Sequence, residues 1–358
     1  MVLETLLILV WWLIKHDGDL TLPFTSFLIR RIFLVIPVLF VVSFVVFMLV
    51  RMIPGDPALL LVPEDAPFEQ VEILRERWGL NKPFLEQYLT FMINILRGDF
   101  GSSIRTGQPV LEEIIPRFTN TVVLASSATL IALIIGGLAG TISSVKPYSK
   151  TDNVAMIAAM VGVSAPAFWL GLMMMWIFGV VFDLLPVVGT GDYDRILSLI
   201  PGLFFPPGST FSEFFDELSN SIQHIIMPAI TLSAFLMAVL ARQTRSSMLE
   251  VLNSDYIRTA KAKGAPRSRV VIHHSLKNAM IPVITVAGVA FGAMLGGSII
   301  VEKVFEYNGL GQYMIDSIQS RDYPVIQAVI LWYALIFAFV NLIVDIIYGW
   351  LDPRIVYD

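Results

Sequence analysis

Hydrophobic positions along this chain gather into long runs, not into the alternating pattern of a strand or the narrow stripe of a soluble helix. A helix needs roughly 20 mostly apolar residues to cross the hydrocarbon of a bilayer. Six stretches meet that need: Phe33 to Val50, Thr119 to Val145, a segment within Val154–Phe182, Ile225 to Leu240, Pro282 to Val301 and Val325 to Tyr348. Asp345 is the one formally charged side chain inside these ranges. A charge at a helix centre costs about 2.5–3.5 kcal/mol on insertion scales, so its absence elsewhere supports six spanning helices. The pattern predicts an all-α polytopic membrane protein.

Polar segments divide the chain into four parts. Residues 1–29 form an N-terminal extension in which Leu3 to Ile14 is apolar but too short to span, and Lys15-His16-Asp17-Gly18-Asp19 interrupts it. The extension lacks the basic start and small-residue cleavage site of a secretory signal. An interfacial helix fits it, as does a start codon placed too early, and a dispensable extension is the expectation. The first spanning helix occupies 30–53. Residues 54–118 are too polar and too long for a turn and predict a small helical subdomain outside the membrane. There Pro67 opens a helix carrying Val71, Leu74 and Trp78 to a stop at Gly79. Pro83 opens a second with Phe84, Tyr88 and Phe91 near helical spacing, ending before Gly98, and another begins near Pro109. Residues 119–358 hold the other five spans, with an external loop 183–224 and a cytoplasmic loop 242–281.

Basic flanks set the orientation. Arg30 and Arg31 precede the first span, Lys146 and Lys150 separate the second and third, and eight basic residues from Arg242 to Lys277 lie between the fourth and fifth. With six spans all three segments share one side. The other side carries Asp183, Asp192, Asp194, Glu213, Asp216 and Glu217 against Arg195. Both termini are therefore expected in the cytoplasm.

Composition agrees. Of 358 residues, 56% are hydrophobic and 15% charged, against roughly 25% charged in soluble domains. A net charge of −5 gives no basic face for nucleic acid. With no cysteine, disulfides, Cys-ligated metals and thiol chemistry are excluded. His273 and His274 are adjacent, diverge by about 100° on a helix and cannot share a metal, and His224 stands alone. No Gly-x4-Gly-Lys-Ser/Thr loop, His-Glu-x-x-His run or nucleophile elbow occurs, so no metal site, cofactor or enzymatic activity is expected of this chain itself.

The cytoplasmic segment is the most informative. Asp255-Tyr256-Ile257-Arg258-Thr259-Ala260-Lys261-Ala262-Lys263-Gly264 is helix-forming up to its glycine, and Pro266 suits the first turn of a following helix. Two helices bent at Gly264 would project a compact basic knob suited to a groove on another protein. On charge alone an ordinary positive-inside loop holding anionic lipid fits as well. The residue order decides between them: the segment resembles the "EAA" loop of ABC-importer permeases, whose coupling helix sits in a cleft of the ATPase. Aligned on Gly264, Arg258-Thr259-Ala260 stands on Glu-Ala-Ala, and only Ala260 matches. That departure is typical of the peptide/nickel branch, whose Tyr-x-Arg-x-Ala-x-Ala-Lys-Gly run is similar to Tyr256 through Gly264. Further stretches are similar to the B-type dipeptide/oligopeptide permeases of that branch, in order: Arg30-Arg31, Arg51-Met52-Ile53-Pro54-Gly55-Asp56-Pro57, Arg97-Gly98-Asp99-Phe100-Gly101-Ser102-Ser103, Arg105-Thr106-Gly107, Asn308-Gly309-Leu310-Gly311, Arg321-Asp322-Tyr323-Pro324 and Leu351-Asp352-Pro353-Arg354.

The resemblance implies a type I importer permease in the cytoplasmic membrane of a prokaryote. Its implied partners are a second, C-type permease, two ATPase subunits or domains that bind ATP and Mg, and an extracytoplasmic solute-binding protein. Asp255, Tyr256, Arg258, Thr259, Ala260, Lys261, Ala262, Lys263 and Gly264 would couple to the ATPase. A short peptide is the implied cargo, with an oligosaccharide or nickel as alternatives. An ion-coupled secondary transporter is a rival that predicts broken helices with buried charge, and the sequence offers neither; a scaffold without transport leaves the knob unexplained. Gly288, Gly292 and Gly296 repeat every fourth residue, as do Gly136 and Gly140 beside Gly137, and predict close helix packing or a pore-side surface. Asn341 and Asp345 share a helix face, for which a local cap fits better than a proton relay. The phenylalanines Phe204, Phe205, Phe211, Phe214 and Phe215 in the external loop predict a small local core, with the bilayer interface or the binding protein as alternatives.

Overall fold

The computed structural model describes residues 24–52, 57–60, 67–77, 79–191 and 211–351. These fold as an all-helical bundle, and no strand is present among the described residues. In chain order the helices are α1 (Phe24–Met52), α2 (Phe68–Arg77), α3 (Phe84–Leu96), α4 (Val110–Val145), α5 (Lys150–Ser164), α6 (Ala167–Met174), α7 (Phe211–Leu252), α8 (Asp255–Ala262), α9 (Lys277–Gly297), α10 (Ile299–Val304), α11 (Leu310–Gln319) and α12 (Tyr323–Leu351). Among the described residues five segments are long and apolar enough to cross a membrane: Phe33–Met52, Val110–Val145, Phe215–Leu252, Arg267–Gly297 and Tyr323–Val344.

The core is built where α4, α7, α9 and α12 meet. Ala125, Ala128 and Ala132 of α4 face Leu236 and Leu240 of α7, with Val283, Ala287 and Leu295 of α9 and Val340 of α12 completing the cluster. Small residues on α4 let the backbone of α7 approach closely. A Cβ on Gly136 would lie 2.6 Å from the Met237 carbonyl oxygen, and one on Gly140 would lie 2.5 Å from that of Ala241 and 2.6 Å from Thr244 Cβ, whereas Gly137 faces open space. Gly140→Ala is therefore expected to lower the unfolding temperature in detergent, at about 1–3 kcal/mol for forced overpacking, and Gly137→Ala to leave it unchanged. Equal unfolding temperatures for the two variants would refute the close crossing.

Three expectations are corrected. The third apolar stretch, Val154–Phe182, is not one helix: α5 ends at Ser164 and α6 starts at Ala167, continuing as a π-helix from Met175 to Val181. Pro166, in an extended conformation, causes the break, because it has no N–H to donate and its ring clashes with the preceding turn. Second, the external loop 183–224 is helical from Phe211, so Phe211, Phe214 and Phe215 lie on the first turns of a 42-residue α7. Glu213, Asp216 and Glu217 favour a helix N-terminus there. Phe204 and Phe205 lie outside the described residues. Third, the helix beginning near Pro109 is no separate element but the start of α4, which runs unbroken through Pro116 to Val145.

The segment between the first two long helices also sits closer to the bundle than its polarity implied. Tyr88 of α3 is buried, stacks edge-on against Phe40, Phe44 and Phe47 of α1, and its hydroxyl lies 2.9 Å from Ser43 Oγ. Phe84 and Phe91 join the same cluster. Helix α3 thus lies along the first apolar span itself. Helix α2 keeps its buried Val71 and its stop at Gly79, whose φ of +63° is left-handed; Trp78 lies outside the described residues.

Candidate functional site

The basic end of the bundle is where α7 runs out and the chain turns back into α9. Ser254 precedes α8, which carries Asp255 in its first turn and Lys261 in its last, a distribution that complements the helix dipole. The helix closes with Gly264 at φ +78°, its N–H bonding to the Lys261 carbonyl at 3.0 Å and the Ala265 N–H to the Ala260 carbonyl at 3.2 Å. That double bond around a left-handed glycine is a Schellman stop. Pro266 then opens a short turn, Arg267–Arg269, which passes into a π-helix, Val270–Leu276, and on into α9.

This knob is anchored by few contacts. Ile257 is fully buried, and the Tyr256 hydroxyl accepts a 2.9 Å hydrogen bond from Asn278 Nδ2 at the start of α9. Arg267 donates to the Val145 carbonyl, 3.1 Å away at the end of α4. Between α4, α7 and the knob lies a cavity of about 500 Å³ lined by Val145, Leu249, Leu252, Val271, Lys261 and Arg267. Exposure is high along the segment: Asp255, Tyr256, Arg258, Thr259, Lys261, Ala262, Lys263 and Gly264 are exposed, Tyr256 and Lys261 among them despite their inward contacts, and Ala260 is half-buried. Arg258 reaches Asp255 at 3.3 Å, both in water, where such a pair contributes little. The result is an exposed, mostly cationic helical face on a short stem.

A part-buried ion pair, with an enclosed carboxylate and a partly open guanidinium, was not legible in advance. Asp152, at the start of α5, receives Arg245 Nε at 2.8 Å and Arg245 Nη2 at 2.7 Å, and the Tyr148 N–H at 2.8 Å. The Arg245 guanidinium holds the Asp152 carboxyl below the usual carboxylate range. Arg245 lies ten residues ahead of Asp255 on the helix that leads into the knob, so the fork ties α5 to that stem. The available signal was a lone acid among the basic residues Lys146 and Lys150.

The glycines of α9 divide. A Cβ on Gly288 would meet Val344 at 2.9 Å and one on Gly292 would meet Val340 at 3.2 Å, so both allow α12 to approach, while Gly296 faces open space. His273 and His274 stand edge to face, and no group of three potential metal ligands occurs among the described residues. The side chain of Asp345 lies outside the described residues.

Several of the quoted motifs meet at the opposite end. Asp322 is buried and accepts hydrogen bonds from Ser103 Oγ, from the Ile104 N–H at 3.1 Å and from the Arg105 N–H at 3.2 Å. Glu302 accepts from Ser298 Oγ at 2.6 Å, Thr121 Oγ1 at 2.9 Å, and the Gly311 and Gln312 N–H groups at 2.7 and 3.2 Å. These joints hold the segment after Gly98 and the N-terminus of α11 onto the bundle.

Comparison with known proteins returns one answer along the chain. A family model described as "Binding-protein-dependent transport system inner membrane component" matches residues 132–357, and its N-terminal companion matches residues 24–125. The dipeptide transport system permease protein of Alkalihalophilus pseudofirmus is 45% identical over 333 residues, 93% of this chain and 99% of that relative. The glutathione transport system permease protein of Escherichia coli strain K12 is 41% identical over 332 residues, with the same shares covered.

Proposed function

We propose that this chain, which belongs to the family of binding-protein-dependent transport system inner membrane components, is a permease subunit of an ABC importer for short peptides. The observation that carries this is 45% identity to a dipeptide permease across nearly the full length of both chains. The relatives' names point to dipeptides and to glutathione, itself a short peptide. The reading takes the type I permease arrangement with six crossings, the broken α5–α6 segment serving as one of them; an even number would leave both termini on one side of a prokaryotic inner membrane, and the basic flanks favour the cytoplasmic side. The chain then supplies half of a path, and a C-type permease the other half. An extracytoplasmic solute-binding protein delivers the cargo.

Energy enters through two ATPase subunits, which hold ATP and Mg. The segment from Asp255 to Gly264, helix α8 with its glycine stop, docks in a cleft of one of them. Its exposed cationic face supports this, as does the Arg245–Asp152 fork that ties the helix leading into it to α5, because a docking helix must transmit displacement rather than absorb it. The broken helix α5–α6 is a feature shared with ion-coupled transporters, but no charged residue flanks Pro166 closely and the family assignment stands against that reading.

The test is reconstitution. The chain, co-expressed with its neighbouring permease and ATPase genes, should co-purify with them in mild detergent. In liposomes with the binding protein, radiolabelled dialanine should accumulate only with ATP. Accumulation of nickel or an oligosaccharide instead would overturn the cargo, and accumulation without ATP would overturn the mechanism.

A further inference from the structure

The uncharged run of α1 extends from Ile32 to Val50, between Arg31 and Arg51. At about 1.5 Å per residue that is about 28 Å, close to the roughly 30 Å of a bilayer's hydrocarbon. The two arginines therefore mark the height of every residue between them. Phe47 stands about 6 Å and Ser43 about 12 Å inside the Arg51 boundary. Helix α3 meets the span at that height. The Phe47 ring centroid lies 5.4, 5.5 and 5.3 Å from those of Phe84, Tyr88 and Phe91. Tyr88 in turn touches Phe40, Phe44 and Phe47, and its hydroxyl reaches Ser43. One ring on each helix serving three on the other describes a single crossing, within the half of the span that ends at Met52. Around α3 the remaining positions form two stripes. Leu85, Leu89, Ile93 and Leu96 recur every third or fourth residue and are between 47% and 80% exposed. Beside them run Glu86, Thr90 and Asn94, with Glu86 paired to Lys82 at 2.7 Å.

We propose that α3 is a membrane-interface helix whose open stripe, Leu85, Leu89, Ile93 and Leu96, is covered by lipid acyl chains of the leaflet at the Met52 end of α1. In the orientation set by the basic flanks this is the external leaflet. Rings against the span, an apolar stripe for lipid and a polar stripe for water are what a helix at the hydrocarbon boundary needs. A water-borne protein does not reach the depth of Phe47, and a second permease packed on this side would cut the polar stripe off from water. Lys82 and Glu86 cancel in charge, so the contact needs no anionic headgroup. Part of the external segment, polar as it is overall, is thereby held by lipid. Gly98, at φ +81°, follows α3, and Ser103, Ile104 and Arg105 are fixed to Asp322 soon after. The lipid surface thus sets the height of a segment whose far end is pinned to the bundle. The proposal requires only that α1 crosses the membrane and stands apart from the importer reading.

Nitroxide labels on single cysteines test this, in a chain that has no cysteine of its own. The variants Leu89→Cys, Ile93→Cys, Glu86→Cys and Thr90→Cys are co-expressed with the neighbouring permease and ATPases, any cysteines of those partners being replaced by serine. All four positions are exposed, so the variants keep the wild-type unfolding temperature. The labelled complexes are placed in phosphatidylcholine vesicles, and relaxation of the label is measured with oxygen, which concentrates in lipid, and with chromium oxalate, which stays in water. The ratio of the oxygen effect to the chromium effect should be several-fold higher at 89 and 93 than at 86 and 90. Chromium oxalate reaching 89 and 93 as readily as 86 and 90 would put the stripe in water and overturn the proposal. Protection of 89 and 93 from both reagents would show a protein cover and overturn it equally. Transport is not measured, so failure here leaves the importer reading untouched.

Discussion

Glu302→Ala is expected to give a protein that inserts but unfolds far more readily in detergent, with a stability loss of about 3–5 kcal/mol. The carboxylate is fully buried and is the common acceptor for four donors, two of them main-chain N–H groups in the first turn of α11. Each buried donor left without an acceptor costs about 1–3 kcal/mol. Burial pushes the carboxyl pKa up, while the same four donors oppose that shift. The glycines of the Asn308-Gly309-Leu310-Gly311 stretch serve this contact: a Cβ on Gly311 would stand 2.7 Å from Ile299 Cα and 2.9 Å from the carboxylate itself. Glu302→Gln keeps the shape and one good acceptor, and should lose less than half as much. Thermal unfolding of the purified variants checks both, and an alanine variant with wild-type stability would show that the joint holds nothing.

The same joint shows what the sequence reveals and what it conceals. Long apolar runs are legible because hydrocarbon rejects charge residue by residue, so the spans around Phe33, Thr119, Pro282 and Val325 reappear as long helices. Hydropathy is blind to hydrogen bonding, however, and Pro166 hides inside an apolar run that it breaks in two. The resemblance picked out Asp322 and Ser103 as parts of separate motifs without showing that they touch. Their bond spans 219 positions, a distance that no local pattern reports. Asp152 was lost for a similar reason, since its partner Arg245 lies 93 positions away and reads locally as one more cytoplasmic cation. The Gly264 turn was legible in full, because a left-handed stop followed by proline is a local device. The glycine stripe of α9 was legible only as a stripe: two members touch α12 and Gly296 does not.

In the assembled importer, the largest functional effect is expected at that turn. Gly264→Pro should abolish coupled uptake while leaving insertion and co-purification of the second permease intact. Proline cannot adopt φ +78° and cannot donate the N–H that closes α8 on Lys261. The whole exposed face of α8 would therefore be re-aimed, while α9 beyond it stays anchored by its own packing. Arg258→Glu probes the same contact without bending anything. Arg258 is largely in water and leans on Asp255, so reversal should leave thermal stability unchanged and place two like charges on the exposed face of α8. Uptake of a labelled dipeptide should fall at least about ten-fold, which corresponds to a contact weakened by about 1.4 kcal/mol, and ATP hydrolysis should continue without it. The two variants separate shape from charge: if docking depends on the path of the helix alone, Arg258→Glu retains partial uptake and Gly264→Pro retains none. Coupled uptake at the wild-type rate in either variant would remove that position from the transmission of ATPase closure, and the outward face of α8 would then be an ordinary basic loop at the membrane surface.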